Sequence, residues 1–351
     1  MRVVPLSELM PGMVAAQDIL SNDNRFILRK GTPLTDLLIN RLAIHGVLSV
    51  AVDERPVPPP EMTNNHVRTS AEFQEFQKIY TIEAQILKDK LNAIIARNEP
   101  LDVDGLINNA VNIIASTKGR MSIFDMLHNM YEFDDSTYSH CLNVALICHL
   151  FAGWMRMSEE ETRLATACGL LHDLGKLLVN QDIIQKPASL TEEEFDEIKK
   201  HPMAGYQLLR EQDADEIICK VALMHHERCD GSGYPSALTE PQIDDYAKMV
   251  AIADVYDAMT SNRVYRGPMC PFHVIENFEE NGYQKYGTYF LLPFLENIAN
   301  TYLTSPCRLS DGRTGTIVFI NKQKLSRPTV KCGDDYVSLL NRPNLTIECL
   351  L

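Results

Sequence analysis

His172-Asp173-Leu174-Gly175-Lys176 forms one compact string, and His225-His226-Glu227-Arg228-Cys229-Asp230-Gly231-Ser232-Gly233-Tyr234-Pro235 begins 49 positions beyond Lys176. Adjacent imidazoles and carboxylates suit first-row transition ions, and a carboxylate such as Asp173 can bridge two ions where a neutral imidazole cannot. Two ions held ~3.5–4 Å apart acidify a water between them and stabilise the charge that grows on a phosphate. The chemistry to expect is metal-assisted hydrolysis of a phosphate ester. Lys176, three residues past Asp173, reaches the same place and is suited to neutralise a phosphate oxygen or to protonate a leaving group.

Helical periodicity points these side chains inward. His140 shares a face with Val144, Ile147 and Phe151, and His172 follows Leu164 and Cys168 at helical spacing. His225 continues the stripe of Ile217 and Val221, and Asp254 shares a face with Val250 and Asp257. His201 precedes Pro202, where a helix is expected to stop. Any one of these histidines alone reads as a satisfied core residue. Burying five imidazoles and two carboxylates together without cations would carry a large desolvation penalty, which a metal cluster removes.

The rest of the chain must supply the scaffold. Its 351 residues suffice for one large core with satellites or for two to three domains, and 45% hydrophobic with 23% charged residues reads as globular. Residues 1–53 suggest a small α+β unit. Strands are expected at Met13-Val14, Phe26–Leu28 and Val47–Val52, with a turn at Ser21–Asn24 and a helix from Thr35 through Ile44. A Pro-rich linker spans 54–68, and connecting helices span 69–118. Helical signals dominate 119–305, with capping boxes at Ser158/Glu161 and Thr191/Glu194, and Gly175 where a helix should end. Residues 306–351 read as a small β appendage with strands at Thr316–Ile320, Thr329–Cys332 and Leu345–Cys349. The fold class is therefore mainly α: a helical bundle with a small α+β amino-terminal domain and a small β carboxy-terminal appendage.

Composition excludes several roles. A net charge of −14 argues against a nucleic-acid surface, and the first 60 residues carry six basic and six acidic side chains, so the whole excess lies beyond them. The longest apolar run, Val144–Trp154, is broken by His149 and falls short of the ~18 residues of a membrane span. No signal peptide opens the chain and its nine cysteines lack a CxxC pair, so reduced thiols and a cytoplasmic location are expected.

These strings resemble the HD-GYP family, the cyclic di-GMP phosphodiesterase branch of the HD-domain metal-dependent phosphohydrolases. HDLGK matches its HD motif, HHERCDGSGYP matches its defining motif with Cys229 as a variation, and the run from Asp254 to Arg266 is similar to its segment bearing a metal-binding Asp. The resemblance covers 119–305. It implies metal ligation by His140, His172, Asp173, His201, His225, His226 and Asp254, with Asp173 and Lys176 as catalytic residues. Substrate contacts are implied for Lys176, Asp230, Gly233, Tyr234, Pro235, Asp257, Arg263 and Arg266. Family members with a third ion carry Glu one turn before the first ligand His; Ser136 stands there, with Asp134 and Asp135 on other faces, so two ions are expected. Iron or manganese leads, with zinc, nickel or cobalt able to fill the site. Asn262 and Val264 depart from the commoner Asp and Pro.

The activity implied is hydrolysis of cyclic di-GMP to linear pGpG, with onward cutting to GMP open. The rival readings are a hydrolase of another cyclic dinucleotide such as 3′,3′-cGAMP and a sluggish cyclic di-GMP receptor that reports to GGDEF-type partners. The first segment lacks the pocket of a phosphoacceptor receiver, and the last lacks the arginine pattern of a PilZ sensor. A long helix from Thr69 to Asn98, with a stripe at Phe73, Phe76, Tyr80 and Leu87, either joins a homodimer or packs within the chain.

Overall fold

The computed structural model describes residues 2–5, 9, 13–17, 19–20, 26–28, 34, 42, 49–53, 65–117, 122–130, 137–184, 186, 191–261 and 268–351. The chain divides into two compact units, Met1–Thr63 and Asn64–Leu351, within the stretch where a linker is expected.

In the first unit β1 (Arg2–Pro5) and β2 (Val14–Ala15) flank β5 (Ser49–Asp53), while β3 (Ile19–Leu20) pairs with β4 (Phe26–Leu28), all antiparallel. Val4, Ala15, Ile19, Leu28, Leu34, Leu42, Val50 and Val52 form its separate small core. β1 was not legible in the sequence. The expected turn at Ser21–Asn24, the expected helix from Thr35 to Ile44 apart from Leu42, and Arg55–Pro60 lie outside the described residues.

The second unit is built on α1 (Ala71–Arg97), α2 (Val103–Ser116), α3 (Ile123–Met130), α4 (Thr137–Trp154), α5 (Glu159–Leu171), α6 (Glu192–Ile198), α7 (His201–Glu211), α8 (Glu216–Met224), α9 (Asp245–Thr260), α10 (Pro271–Asn281) and α11 (Thr288–Thr301). Their starts follow the capping rules: the Ser158 and Thr191 hydroxyls accept from the amides of Glu161 and Glu194, whose carboxylates accept back from the cap amides. The centre is α4, buried on nearly every side because α5, α9 and α1 all pack on it. Each large apolar side chain buried here contributes ~1.5–3 kcal/mol. Phe73, Phe76, Tyr80 and Leu87 of α1 are buried inside this unit, so that stripe is not free to join a second copy.

Two expectations at helix ends are corrected. His201 does not follow a helix; it opens α7, with Pro202 in the first turn, where proline's missing N–H leaves no bond unmade. Gly175 does not cap a helix either: α5 ends at Leu171, and Gly175 lies within the 3-10 turn Leu174–Leu178. A Cβ at Gly175 would collide with the His201 carbonyl and stand 2.6 Å from the Gly205 amide nitrogen. Glycine is needed there because that turn and α7 touch backbone to backbone, which sets Asp173 beside His201.

The last strands, β6 (Pro306–Leu309), β7 (Thr314–Phe319), β8 (Thr329–Cys332), β9 (Asp335–Ser338) and β10 (Ile347–Leu350), form an antiparallel sheet of order β10-β6-β7-β8-β9. Arg327 Nη2 to Glu276 at 2.5 Å and the Leu325 amide to Glu279 at 2.6 Å fasten it to α10. All nine cysteines are free thiols.

Gly175→Ala is expected to lower stability by about 1–3 kcal/mol through overpacking, whereas Gly153→Ala, whose Cβ meets nothing within 4 Å inside α4, should be neutral or stabilising. Thermal melts of the two variants check this; equal melting temperatures would remove the close approach as the reason for Gly175.

Candidate metal centre

Three of the expected ligands sit at helix ends and use one local device. The first and last turns of a helix leave carbonyl and amide groups without helical partners. His172 closes α5 and its Nδ1 lies 2.7 Å from the Gly169 carbonyl; His225 closes α8 with Nδ1 2.9 Å from the Ala222 carbonyl; His201 places Nδ1 2.7 Å from the carbonyl of Ile198, the last residue of α6. A carbonyl only accepts, so Nδ1 carries the hydrogen and each neutral ring keeps a bare Nε2. The negative ends of α5 and α8 favour positive charge in the same place.

All the bare nitrogens surround Asp173, which has no exposed surface. Its Oδ1 lies 3.2 Å from His201 Nε2 and 3.4 Å from His225 Nε2. Its Oδ2 lies 3.3 Å from His172 Nε2, 3.5 Å from His140 Nε2 and 2.5 Å from Lys176 Nζ. One carboxylate thus faces two imidazole pairs, one pair per oxygen. Two groups of donors within coordination reach of a common ion follow, Asp173 with His201, His225 and His226, and Asp173 with His140 and His172.

His140 stands inside α4, where no helix-end carbonyl is free. Its Nδ1 donates instead to Asp257 Oδ2 at 2.7 Å, and its Nε2 lies 3.0 Å from Asp254 Oδ1. Asp257, expected at the substrate, is 2% exposed, and its oxygens accept from His140, from Asn143 Nδ2 at 3.0 Å and from Ser261 Oγ at 3.1 Å. It holds His140 from behind. Asn143 was overlooked; its signal was a single amide within the apolar run of α4.

The loop after His226 is clamped to the ligands. Glu227 is buried and accepts from the amides of Ser236 at 2.7 Å and Leu238 at 2.9 Å, a closure that residue type alone did not announce. A Cβ at Gly233 would strike the backbone of His226–Arg228, so only glycine lets the loop fold onto the ligand segment. Tyr234 stacks on His226 with centroids 4.7 Å apart and planes at 27°, and Pro235 follows it. The Asp230 carboxylate turns back on the Ser232 amide and hydroxyl at 3.0 and 2.6 Å and shapes the turn. Ser136, Asp134, Asp135, Asn262, Arg263, Val264 and Arg266 lie outside the described residues.

The electrostatics call for cations. His201 Nε2 and His225 Nε2 approach to 3.2 Å, two lone pairs face to face when both rings are neutral. His140 Nε2, His172 Nε2 and Asp173 Oδ1 are buried without a hydrogen bond, and orphaned buried groups of this kind need a partner. Burial opposes ionisation of Asp173, but the Lys176 ammonium and the His172 imidazole outweigh it and hold the carboxyl well below the usual range. Burial and neighbouring imidazoles keep His226 neutral, and burial pushes His225 down to about 4 despite Asp173. Burial would also lower His140, yet Asp254 and Asp257 raise it to about 9. The donor set fits divalent ions.

These shifts give the metal-free protein a stability optimum. His225, and His128 lowered to about 4 by burial and Arg68, bind protons more readily when unfolded, so stability is lost as pH falls from 6.5 toward 4. His140 contributes stability that is full below 6.5 and lost as pH rises through 9, on the order of 3 kcal/mol. Urea midpoints of chelator-treated protein are expected to peak near pH 6.5, while an ion replacing the His140 proton removes the alkaline decline. The same alkaline decline in both forms would show that His140 is not its source.

The chain is similar to several known proteins. The HD domain family profile matches residues 82–288, more than half of the chain. The chain is 34% identical over 200 residues to a cyclic di-GMP phosphodiesterase of Pseudomonas aeruginosa, covering 56% of this chain and 48% of that protein. It is 38% identical over 135 residues to a cyclic di-GMP phosphodiesterase response regulator of Xanthomonas campestris, covering 38% and 36%, and 36% identical over 150 residues to a 3′3′-cGAMP-specific phosphodiesterase of Vibrio cholerae, covering 42% and 35%. The chain thus spans half or less of the length of these curated relatives. An HDG"Y"P protein from Bdellovibrio bacteriovorus shares the fold, with a TM-score of 0.53 at 17% identity over 85% of this chain and 99% of that one. With the profile matched and an His-Asp cluster gathered where the HD string predicts it, the chain belongs to the HD domain family.

Proposed function

We propose that this protein is a metal-dependent phosphodiesterase that hydrolyses cyclic di-GMP to linear pGpG. The observation that carries the reading is the division of Asp173, with Oδ1 toward His201 and His225 and Oδ2 toward His172 and His140. Two divalent ions, iron or manganese first, would be held by His140, His172, Asp173 and Asp254 on one side and by Asp173, His201, His225 and His226 on the other. When bound they supply Lewis acidity toward a phosphate and make water a stronger acid.

The chain's own residues do the rest. Water adds to phosphorus, the bond from phosphorus to the ribose 3′ oxygen breaks, and that oxygen needs a proton. Lys176, with Nζ beside Asp173 and its side chain partly open to solvent, is placed to provide the proton or to balance the phosphate charge. Tyr234 and Gly233 wall the site from the clamped loop, and Arg263 and Arg266 are proposed as further phosphate contacts. The names of the Pseudomonas and Xanthomonas relatives support cyclic di-GMP. Relatives from Vibrio named for 3′3′-cGAMP support a second reading in which another cyclic dinucleotide is cut. No described helix is long and apolar enough to cross a membrane, and a cytoplasmic location is part of the proposal.

Product analysis after incubation with cyclic di-GMP and Mn²⁺ or Fe²⁺ tests this. His172→Ala and Asp173→Asn are expected to abolish turnover with the helical circular dichroism retained, and Lys176→Met to slow it by about 10²-fold with both ions still bound. Turnover retained in Asp173→Asn would defeat the mechanism. Faster cleavage of 3′,3′-cGAMP in direct competition would favour the second reading.

A further inference from the structure

Behind His140 runs a line of buried polar side chains that leads away from the metal centre into α1. Asp257 Oδ2 accepts from His140 Nδ1 at 2.7 Å, Asn143 Nδ2 donates to Asp257 Oδ1 at 3.0 Å, and the Tyr80 hydroxyl donates to Asn143 Oδ1 at 2.6 Å. The polarity of this line admits one arrangement. A carboxylate only accepts, so the Asn143 amide must turn its NH₂ to Asp257 and its oxygen to Tyr80. Tyr80 is 3% and Asn143 8% exposed, in otherwise apolar packing where Phe73, Phe76 and Leu87 fill the same face of α1.

We propose that Tyr80 and Asn143 are positioning residues for His140, and that the seating of α1 on α4 sets how tightly the ion on the His140 side is held. The inference rests on the two-ion reading and adds to it a route by which α1, which follows the amino-terminal unit in the chain, reaches one ion of the pair. Partners behind a ligand imidazole fix its ring orientation and its basicity. His172, His201 and His225 take that support from carbonyls within three residues of themselves, and such support moves with the ligand. His140 alone among the four depends on distant elements, first on α9 through Asp257 and then on α1 through Asn143. The far end of α1 is held as well: Gln212, which caps α7, accepts from the Leu101 amide at 2.9 Å and donates to Asn98 Oδ1 at 3.0 Å. A shift of α1 is therefore felt at Tyr80, whose hydroxyl proton completes the line at 2.6 Å from Asn143 Oδ1, with the Ser139 carbonyl of α4 a longer second acceptor at 3.3 Å.

The test is metal binding by the full chain, which needs no nucleotide. Metal-free protein is titrated with Zn²⁺ against a chromophoric chelator, for the wild type, Tyr80→Phe, Asn143→Leu and Leu87→Ala. Leu87→Ala loosens the same face of α1 without touching the polar line, so it reports what destabilisation alone does. Asn143→Leu is expected to weaken one of the two ions by ~10–100-fold, the range for supports behind a ligand, and Tyr80→Phe, one bond further out, by ~3–10-fold. The other ion keeps its affinity, and Leu87→Ala lowers the melting temperature with both affinities intact. If Asn143→Leu does not fold, Tyr80→Phe, which removes one atom, decides. Unchanged binding in Tyr80→Phe, equal weakening of both ions, or the same loss in Leu87→Ala overturns the proposal. A wild type that takes up fewer than two ions overturns the two-ion reading itself, and this inference with it.

Discussion

A carboxylate with no contact with water, ringed by bare imidazole nitrogens, is the constraint on which the structure depends. Asp173 cannot be left so without compensating charge, because removing an ionised carboxylate from water is far more unfavourable than any hydrogen bond repays. Lys176 offsets part of that on the Oδ2 side, while Oδ1 has no hydrogen bond. The neighbouring Nε2 atoms are themselves acceptors in the neutral rings, so adding more of them worsens the balance until a cation stands among them. The site is thus an unfavourable arrangement made tolerable by what it binds, and the apolar interior of α4, α5 and α9 is what holds it together.

The way the ligands are held follows from where they stand. Helix ends have unpaired carbonyls, and an imidazole three residues on can take one through Nδ1, which both satisfies the helix and selects the tautomer with Nε2 free. That solution serves His172, His201 and His225 alike, and it needs the ends of three helices brought to one point. Backbone contact makes this convergence: Gly175 lies on the His201 carbonyl, and a Cβ at Gly169 would stand 2.9 Å from the Ala145 Cα. His140, inside a helix, has no such carbonyl and draws on Asp257 across the packing of α4 against α9.

Much of this was legible because it is local in sequence. The strings HDLGK and HHERCDGSGYP, and the inward spacing of His140 and Asp254, announced a site of imidazoles and carboxylates, and the boxes at Ser158 and Thr191 announced helix starts. What escaped was set by packing. Asp257 matches the spacing of a site residue, but only the three-dimensional placement of Asn143 and Ser261 shows that its oxygens are already taken. Pro202 reads as a stop, yet whether a proline closes one helix or opens the next depends on the chain before it, and here α6 ends at Ile198 and α7 begins three residues later. The strands β1, β6 and β9 carry weak periodicity because four residues offer too few alternations to stand out.

The clamped loop ties two of the ligands to the chain that follows them. Glu227 faces inward onto the Ser236 and Leu238 amides, Gly233 lies against the backbone of His226–Arg228, and Tyr234 rests on the His226 ring. The loop and the ligand segment are therefore one body, and any substitution that reshapes the loop also displaces His225 and His226. The loop and the ligands thus share one backbone frame, held by Glu227 from within and by the absence of a side chain at Gly233.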